Sequence, residues 1–186
     1  MTVETVRALV LAGGAGRRFG GPKQLALVRG RPLIGHVLGA AAGWDPLVVL
    51  GAHAEQVRPH VAGYEHVVCA DWADGQSASL QAGVSALGDV DAAIVLLADQ
   101  PFITPQVIAG ALERLGPRHD AVRTTYRGAP GHPVVLGRRV LARVGELRGD
   151  AGARGLLREF RVRDWEAGHL CDPADIDTPE QLEAFR

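Results

Sequence analysis

The sequence predicts a three-layer α/β/α sandwich around a mostly parallel sheet, with an antiparallel addition in its C-terminal half. Three observations carry this. Aliphatic runs without polar alternation, such as Val6–Leu11 and Ala92–Ala98, suit strands covered on both faces. Segments of helical length separate these runs, which implies right-handed crossovers and parallel pairing, a Rossmann-like arrangement. Beyond Asp120 two strand-like runs flank one short turn, which predicts a hairpin and so antiparallel strands.

The elements follow in order. Val6–Leu11 is the first strand and runs into a Gly-rich loop ending at Lys23. Arg31–Leu38 opens a helix, with Pro32 suited to its first turn. Leu47–Leu50 is a strand, Ala54–Val61 a weak helix and His66–Cys69 a strand. A helix starts within Gly75–Leu80 and runs to about Leu87, with Ser77 a candidate N-cap. Ala92–Ala98 is the most strand-like run, and Thr104-Pro105 caps the helix after it. Asp120–Tyr126 and His132–Leu136 form the hairpin around Arg127–Gly131. Gly149–Leu157 leads into a helix, and Val162–Trp165 reads as a last strand. The run Asp172–Glu180 leads into a terminal helix capped by Thr178 with Pro179 at its first position. No linker or repeat divides residues 1–186, so one domain is expected.

Composition narrows the function classes. Hydrophobic residues make up 47% of the 186, enough for a sizeable core, and the formal net charge is -1. A global basic field for nucleic acid and a polybasic segment for membrane are both missing. No run reaches the length of a membrane-spanning helix, and no Cys/His cluster has zinc spacing. Cys69 and Cys171 lie far apart, and no signal peptide precedes the first strand. Reduced thiols and a cytoplasmic location are the expectation.

The chemistry centres on Leu11-Ala12-Gly13-Gly14-Ala15-Gly16-Arg17-Arg18 and on to Lys23. Glycines let backbone N–H groups crowd round an anion, and Arg17, Arg18 and Lys23 supply permanent positive charge. The dinucleotide fingerprint fails, because Phe19 stands where its third glycine belongs. The P-loop fails as well, because Pro22 separates Gly21 from Lys23 and Gln24 follows. A triphosphate cradle of another kind is expected, against the plainer reading of an ordinary strand–helix turn. Asp99 ends an almost wholly apolar strand, where a carboxylate is costly without a cationic partner. Magnesium bound to phosphate is such a partner, and a turn or capping aspartate is the alternative. In open α/β sheets ligands bind beyond the carboxyl ends of strands, where both the loop and Asp99 fall. Asp175 and Asp177 are candidates for a second carboxylate, with helix capping as the alternative for Asp177. Gln76, Ser77 and Ser79 suit a ribose or base edge, or simple capping. His132 in a strand is more often structural than catalytic. Asp150 and Arg154 either pair along a helix or reach a second substrate.

Taken together, six segments resemble the molybdenum-cofactor nucleotidyltransferases, the MobA-like NTP transferases. They are Leu11–Lys23, Gly75–Leu80, Leu97–Pro101, Gly131-His132-Pro133, Gly149–Arg154 and Asp175–Pro179, in order over nearly the whole chain. The resemblance implies a nucleotide-diphospho-sugar transferase-like fold and transfer of a nucleoside monophosphate from an NTP to a phosphorylated acceptor, with pyrophosphate leaving. By motif position, Asp99 and Asp177 would hold Mg²⁺, and Lys23 and Arg17 would stabilise the triphosphate. Leu11, Ala12, Gly13, Gly14 and Gly16, with Gln76, Ser77 and Ser79, would line the nucleotide. His132, Asp150 and Arg154 would face the acceptor, a pterin cofactor. The resemblance also admits a molybdoenzyme or cofactor-insertion partner. Most motifs are similar to the cytidylyl-transferring branch, whereas Leu11-Ala12-Gly13-Gly14 is similar to the guanylyl-transferring branch, and Ala78 also departs from the cytidylyl pattern. CTP is favoured, with GTP or a different phosphorylated small molecule as alternatives. A nucleotide-binding regulator or chaperone on the same fold is the non-enzyme alternative. Retention of Lys23, Asp99 and Asp177 argues against it, and Phe19 against a dinucleotide oxidoreductase.

Overall fold

The computed structural model describes residues 3–171 and 173–185; Asp172, at the head of the run expected to lead into the terminal helix, lies outside them. Among the described residues nine strands form: β1 (Val6–Ala12), β2 (Leu27–Val28), β3 (Arg31–Pro32), β4 (Leu47–Leu50), β5 (Glu65–Val68), β6 (Ala92–Leu97), β7 (Ala121–Tyr126), β8 (Ala129–Gly137) and β9 (Val162–Glu166). The helices are α1 (Leu33–Ala41), α2 (Ala54–Val57), α3 (Gln76–Ala86), α4 (Pro105–Glu113), α5 (Arg138–Leu141), α6 (Arg154–Leu157) and α7 (Pro179–Glu183). Seven strands make one sheet in the order β5-β4-β1-β6-β8-β7-β9. The half from β5 to β6 is parallel, β8 pairs antiparallel with both β6 and β7, and β9 returns parallel to β7.

Alternation along β1 and β6 explains the three layers. Val10, Ile94 and Leu96 face one core together with Ile34 and Leu38 of α1 and Ile108 of α4. Leu9, Leu11, Val95 and Leu80 of α3 face the other. Both faces of the central strands are therefore dry, which is why their sequences lack polar alternation. Each such aliphatic side chain, fully buried, contributes about 1.5–3 kcal/mol. A third, smaller cluster holds Val28, Leu33, Ile176 and Leu182, with Phe19, Phe102 and Phe185 against it. It clamps the C-terminal segment beside the Gly-rich loop.

The structure departs from the sequence expectations at several boundaries. Arg31-Pro32 does not open α1. It pairs with Leu27–Val28 across a turn in which Arg29 and Gly30 both have positive φ, leaving Pro32 at the N-cap. Ser77 is not a cap: Gly75 takes that position, with φ 107°, and Ser77 lies inside the first turn of α3. A side chain at Gly75 would collide with Asp150 and the Gly149 backbone, so close packing of the Gly149 turn sets the helix start. The hairpin turn is tighter than expected. Arg127 and Gly128, both with positive φ, close it alone, as type I′ turns require, and β8 begins at Ala129. Thr178 caps α7 as expected, in a reciprocal box with Gln181. Among the described residues no disulfide joins Cys69 to Cys171, and no helix is long and apolar enough to cross a membrane.

Candidate active site

The site lies beyond the carboxyl ends of β1 and β6. These strands pair in register up to Leu11 and Leu97, so Gly13 and Asp99 emerge side by side. The loop is tied from within: the Gly16 carbonyl accepts from the N–H groups of Phe19 at 3.0 Å and Gly20 at 2.9 Å. Gln24, 2% exposed, donates its amide Nε2 to the carbonyls of Ala12 at 2.8 Å and Gly14 at 3.2 Å. The imidazole of His53 bonds the Ala15 carbonyl at 2.9 Å. Phe19 packs into the small cluster with Ile176.

Four charged side chains converge. The Lys23 ammonium contacts both Asp99 and Asp177, reaching Asp177 Oδ1 at 2.6 Å. Arg18, largely in solvent, holds Asp177 Oδ2 at 2.6 Å. Burial works against the Lys23 charge, but the Asp99 carboxylate, helped by Asp177, outweighs it and raises the lysine pKa. The hydrogen bond from Lys23 holds the Asp177 carboxyl below the usual range. Asp177 reaches this point through its neighbours. Ile176 is fully buried and its N–H bonds the Asp99 carbonyl at 3.2 Å, while the Gln181 amide oxygen accepts from the Asp177 N–H at 2.7 Å.

The donor set fits a hard divalent cation. Asp99 Oδ1 is buried with no hydrogen-bond partner. Two carboxylates meet on one positive centre, and among the described residues no group of three potential ligands is assembled. The two carboxylates are the kind of donors that an ion such as Mg²⁺ takes, with phosphate oxygens and water completing its shell.

Two cavities adjoin here. The larger, of about 580 Å³, is lined by residues from Leu11 to Arg18, by Lys23, Gln24 and Asp99, and by Trp72, Gln76, Ser79 and Asp150. The smaller, of about 250 Å³, takes Gln100, Arg123, His132, Arg154 and Asp175 with an apolar floor including Leu80 and Val134. Leu11, Gln76 and Leu97 line both.

The structure thus brings together the loop, Lys23, Asp99 and Asp177, with Gln76 and Ser79 on the wall. Ser77 is elsewhere: it is 2% exposed and borders a cleft formed by Val68–Asp71 and Leu147–Gly149. Asp150 and Arg154 do not share a helix; Asp150 sits in a separate turn on the larger cavity and Arg154 begins α6 on the smaller. Asp175 bonds Gln100 Nε2 at 2.7 Å and lines the smaller cavity, away from the larger. Burial drives the His132 pKa down to about 4, so its imidazole is neutral at pH 7. Gln24, Gln100 and Gln181 were not singled out by sequence. The Gln that follows Lys23 and the Thr-x-x-Gln box at Thr178 were their only signals.

A Gly-rich loop and two carboxylates meeting on one lysine thus lie at the carboxyl ends of a mostly parallel sheet, where such sheets bind ligands. Comparison with known proteins is specific about the family. The chain matches the MobA-like NTP transferase domain over residues 8–165 and belongs to that family. It is 32% identical to nicotine blue oxidoreductase of Paenarthrobacter nicotinovorans, over 95% of this chain and 94% of that one. It is 28% identical to a molybdenum cofactor guanylyltransferase of Shewanella sediminis, over 95% and 93%. Among solved structures it is similar to Rv0371c from Mycobacterium tuberculosis H37Rv, with TM-score 0.86, 30% identity and coverage of 100% and 98%. A manganese complex of Rv0371c aligns with TM-score 0.81 and 27% identity, over 98% of each chain. The architecture is that of the nucleotide-diphospho-sugar transferases.

Proposed function

We propose that the enzyme moves a nucleoside monophosphate, CMP in first place, from a magnesium-bound NTP to the terminal phosphate of a phosphorylated acceptor, with molybdopterin cofactor in first place. The observation that carries this is the meeting of Asp99 and Asp177 on Lys23, which lines the larger cavity together with Asp99 and the Gly-rich loop. On this reading the larger cavity takes the nucleotide, with Ser79 and Gln76 toward its sugar and base, and the smaller takes the acceptor. Asp99 and Asp177 would hold magnesium, which would supply charge neutralisation on the triphosphate. Lys23 exchanges carboxylate contacts for phosphate oxygens, and Arg17, exposed on the loop, meets the outer phosphates. The acceptor phosphate is already anionic, so no general base is required. Its oxygen bonds the α-phosphorus, the α–β bridge breaks, and the electron pair leaves with pyrophosphate. Positioning and charge stabilisation do the catalytic work.

Leu11-Ala12-Gly13-Gly14 favours a second reading in which GTP replaces CTP, because this segment resembles the guanylyl-transferring branch. Pyrophosphate release tests both. CTP, GTP, ATP and UTP are each offered with Mg²⁺ and molybdopterin cofactor to the wild type and to Asp99→Ala. Release with CTP above the other three, lost in Asp99→Ala, supports the proposal. Release with GTP selects the second reading. Equal release from Asp99→Ala and wild type removes Asp99 from the reaction.

A further inference from the structure

Among the described residues lining the smaller cavity, Gln100 is the one buried side chain with an amide oxygen that has no partner. It is 4% exposed, and it follows Asp99 at the turn after β6. Its backbone is occupied on both sides: its N–H bonds the Leu97 carbonyl at 3.3 Å, and its own carbonyl accepts from Ile103 at 3.4 Å. Its Nε2 donates to Asp175 Oδ1 at 2.7 Å. A carboxylate only accepts, so this bond fixes which way the amide faces. The Oε1 is left without a partner. A buried acceptor in this state calls for a donor.

The surrounding protein does not supply one. Arg123, a guanidinium on the wall, is bidentate to Asp164 at 2.8 and 2.9 Å. Pro130 on the same wall has no N–H. The floor made by Leu80, Val95 and Val134 is apolar and suits a flat ring. We propose that Gln100 is a specificity-determining residue of this cavity, its amide oxygen accepting a hydrogen bond from an N–H donor on the acceptor's ring system. Asp175 is then a positioning residue that keeps the oxygen, and not the NH₂, available. The inference rests on the smaller cavity being the acceptor site.

The test uses two bicyclic probes of similar outline: pterin, which carries ring N–H and amino donors, and quinoxaline, which carries none. Both are titrated by calorimetry into the full chain with CTP and Mg²⁺ present. Wild type should bind pterin at least ten-fold more tightly than quinoxaline. Gln100→Met should weaken pterin about ten-fold and leave quinoxaline within two-fold. Gln100→Asn, which keeps an amide but withdraws it by one methylene, should act in the same direction and serves if Gln100→Met fails to fold. Pterin affinity unchanged in the variants overturns the role of Gln100, as does an equal loss for both probes. If wild type binds neither probe while CTP still binds, the acceptor reading of the cavity falls, and the inference falls with it.

Discussion

The Lys23 ammonium and an Asp177 carboxylate oxygen lie 2.6 Å apart although 154 positions separate them in the chain. The same ammonium touches Asp99. One lysine therefore joins the start, the middle and the end of the sequence, and it neutralises two carboxylates that would otherwise repel.

Replacing it has a definite cost. Lys23→Met leaves Asp99 without its counter-charge and Asp177 with Arg18 alone, and on the proposed reading it removes a donor to the developing charge on pyrophosphate. Loss of one such preorganised group costs about 10²–10³ in rate. Steady-state pyrophosphate release should fall by that much. Loss of less than ten-fold would place Lys23 outside the reaction.

Gln24 predicts a different phenotype. Its amide ties the Ala12 and Gly14 carbonyls, so Gln24→Leu frees the loop without removing any charge. Buried carbonyls left unpaired cost about 1–3 kcal/mol. Chemical denaturation should show that loss, and nucleotide affinity should fall several-fold with kcat less affected. A variant as stable as wild type would show that the loop holds its shape without Gln24.

Gln181 is exposed and outside both cavities, yet its amide oxygen accepts from the backbone N–H of Asp177 and Thr178. Gln181→Ala should cost about 1 kcal/mol, as for other lost caps, and should weaken Mg²⁺-dependent nucleotide binding more than metal-free binding. Calorimetry with and without the metal reads the difference. Equal weakening in both would mean that Asp177 is not the ligand being loosened.

How much of this was legible beforehand depends on whether the signal was local. Asp99 stood out because a carboxylate ending the run Ala92–Leu97 contradicts the burial of its neighbours. The loop stood out through its glycines and cations. Asp177 could be named but not placed, since its position depends on Ile176 entering a cluster with Phe19 and Phe102, distant in sequence. Ser77 looked like a cap because serine prefers that place, but packing of Gly75 against Gly149 moved the helix start. Gln24 and Gln100 act through one end of an amide, and only the fold shows which end is taken.

Asp120 is a buried carboxylate of the second half whose pairing predicts an acid response. It is 6% exposed and receives bonds from Arg161, through both backbone and side chain, and from Arg139. The Arg161 bonds hold its carboxyl below the ordinary range. A carboxyl depressed in the folded state stabilises above its unfolded pKa of about 3.9, and this contribution is lost as pH falls through the folded value. Asp120→Asn should therefore be about 1–3 kcal/mol less stable at pH 7, with the gap closing below pH 4. Denaturation midpoints at both pH values decide it, and a gap that stays constant with pH would exclude ionisation as its origin.

Leu11, Gln76 and Leu97 belong to the walls of both cavities, so the two chambers share a wall. On the proposed reading the two reactants are resident together, and no group need be parked on the protein between them. Initial-rate plots against either reactant should then intersect, the pattern of a ternary complex, where parallel lines would require a covalent half-reaction.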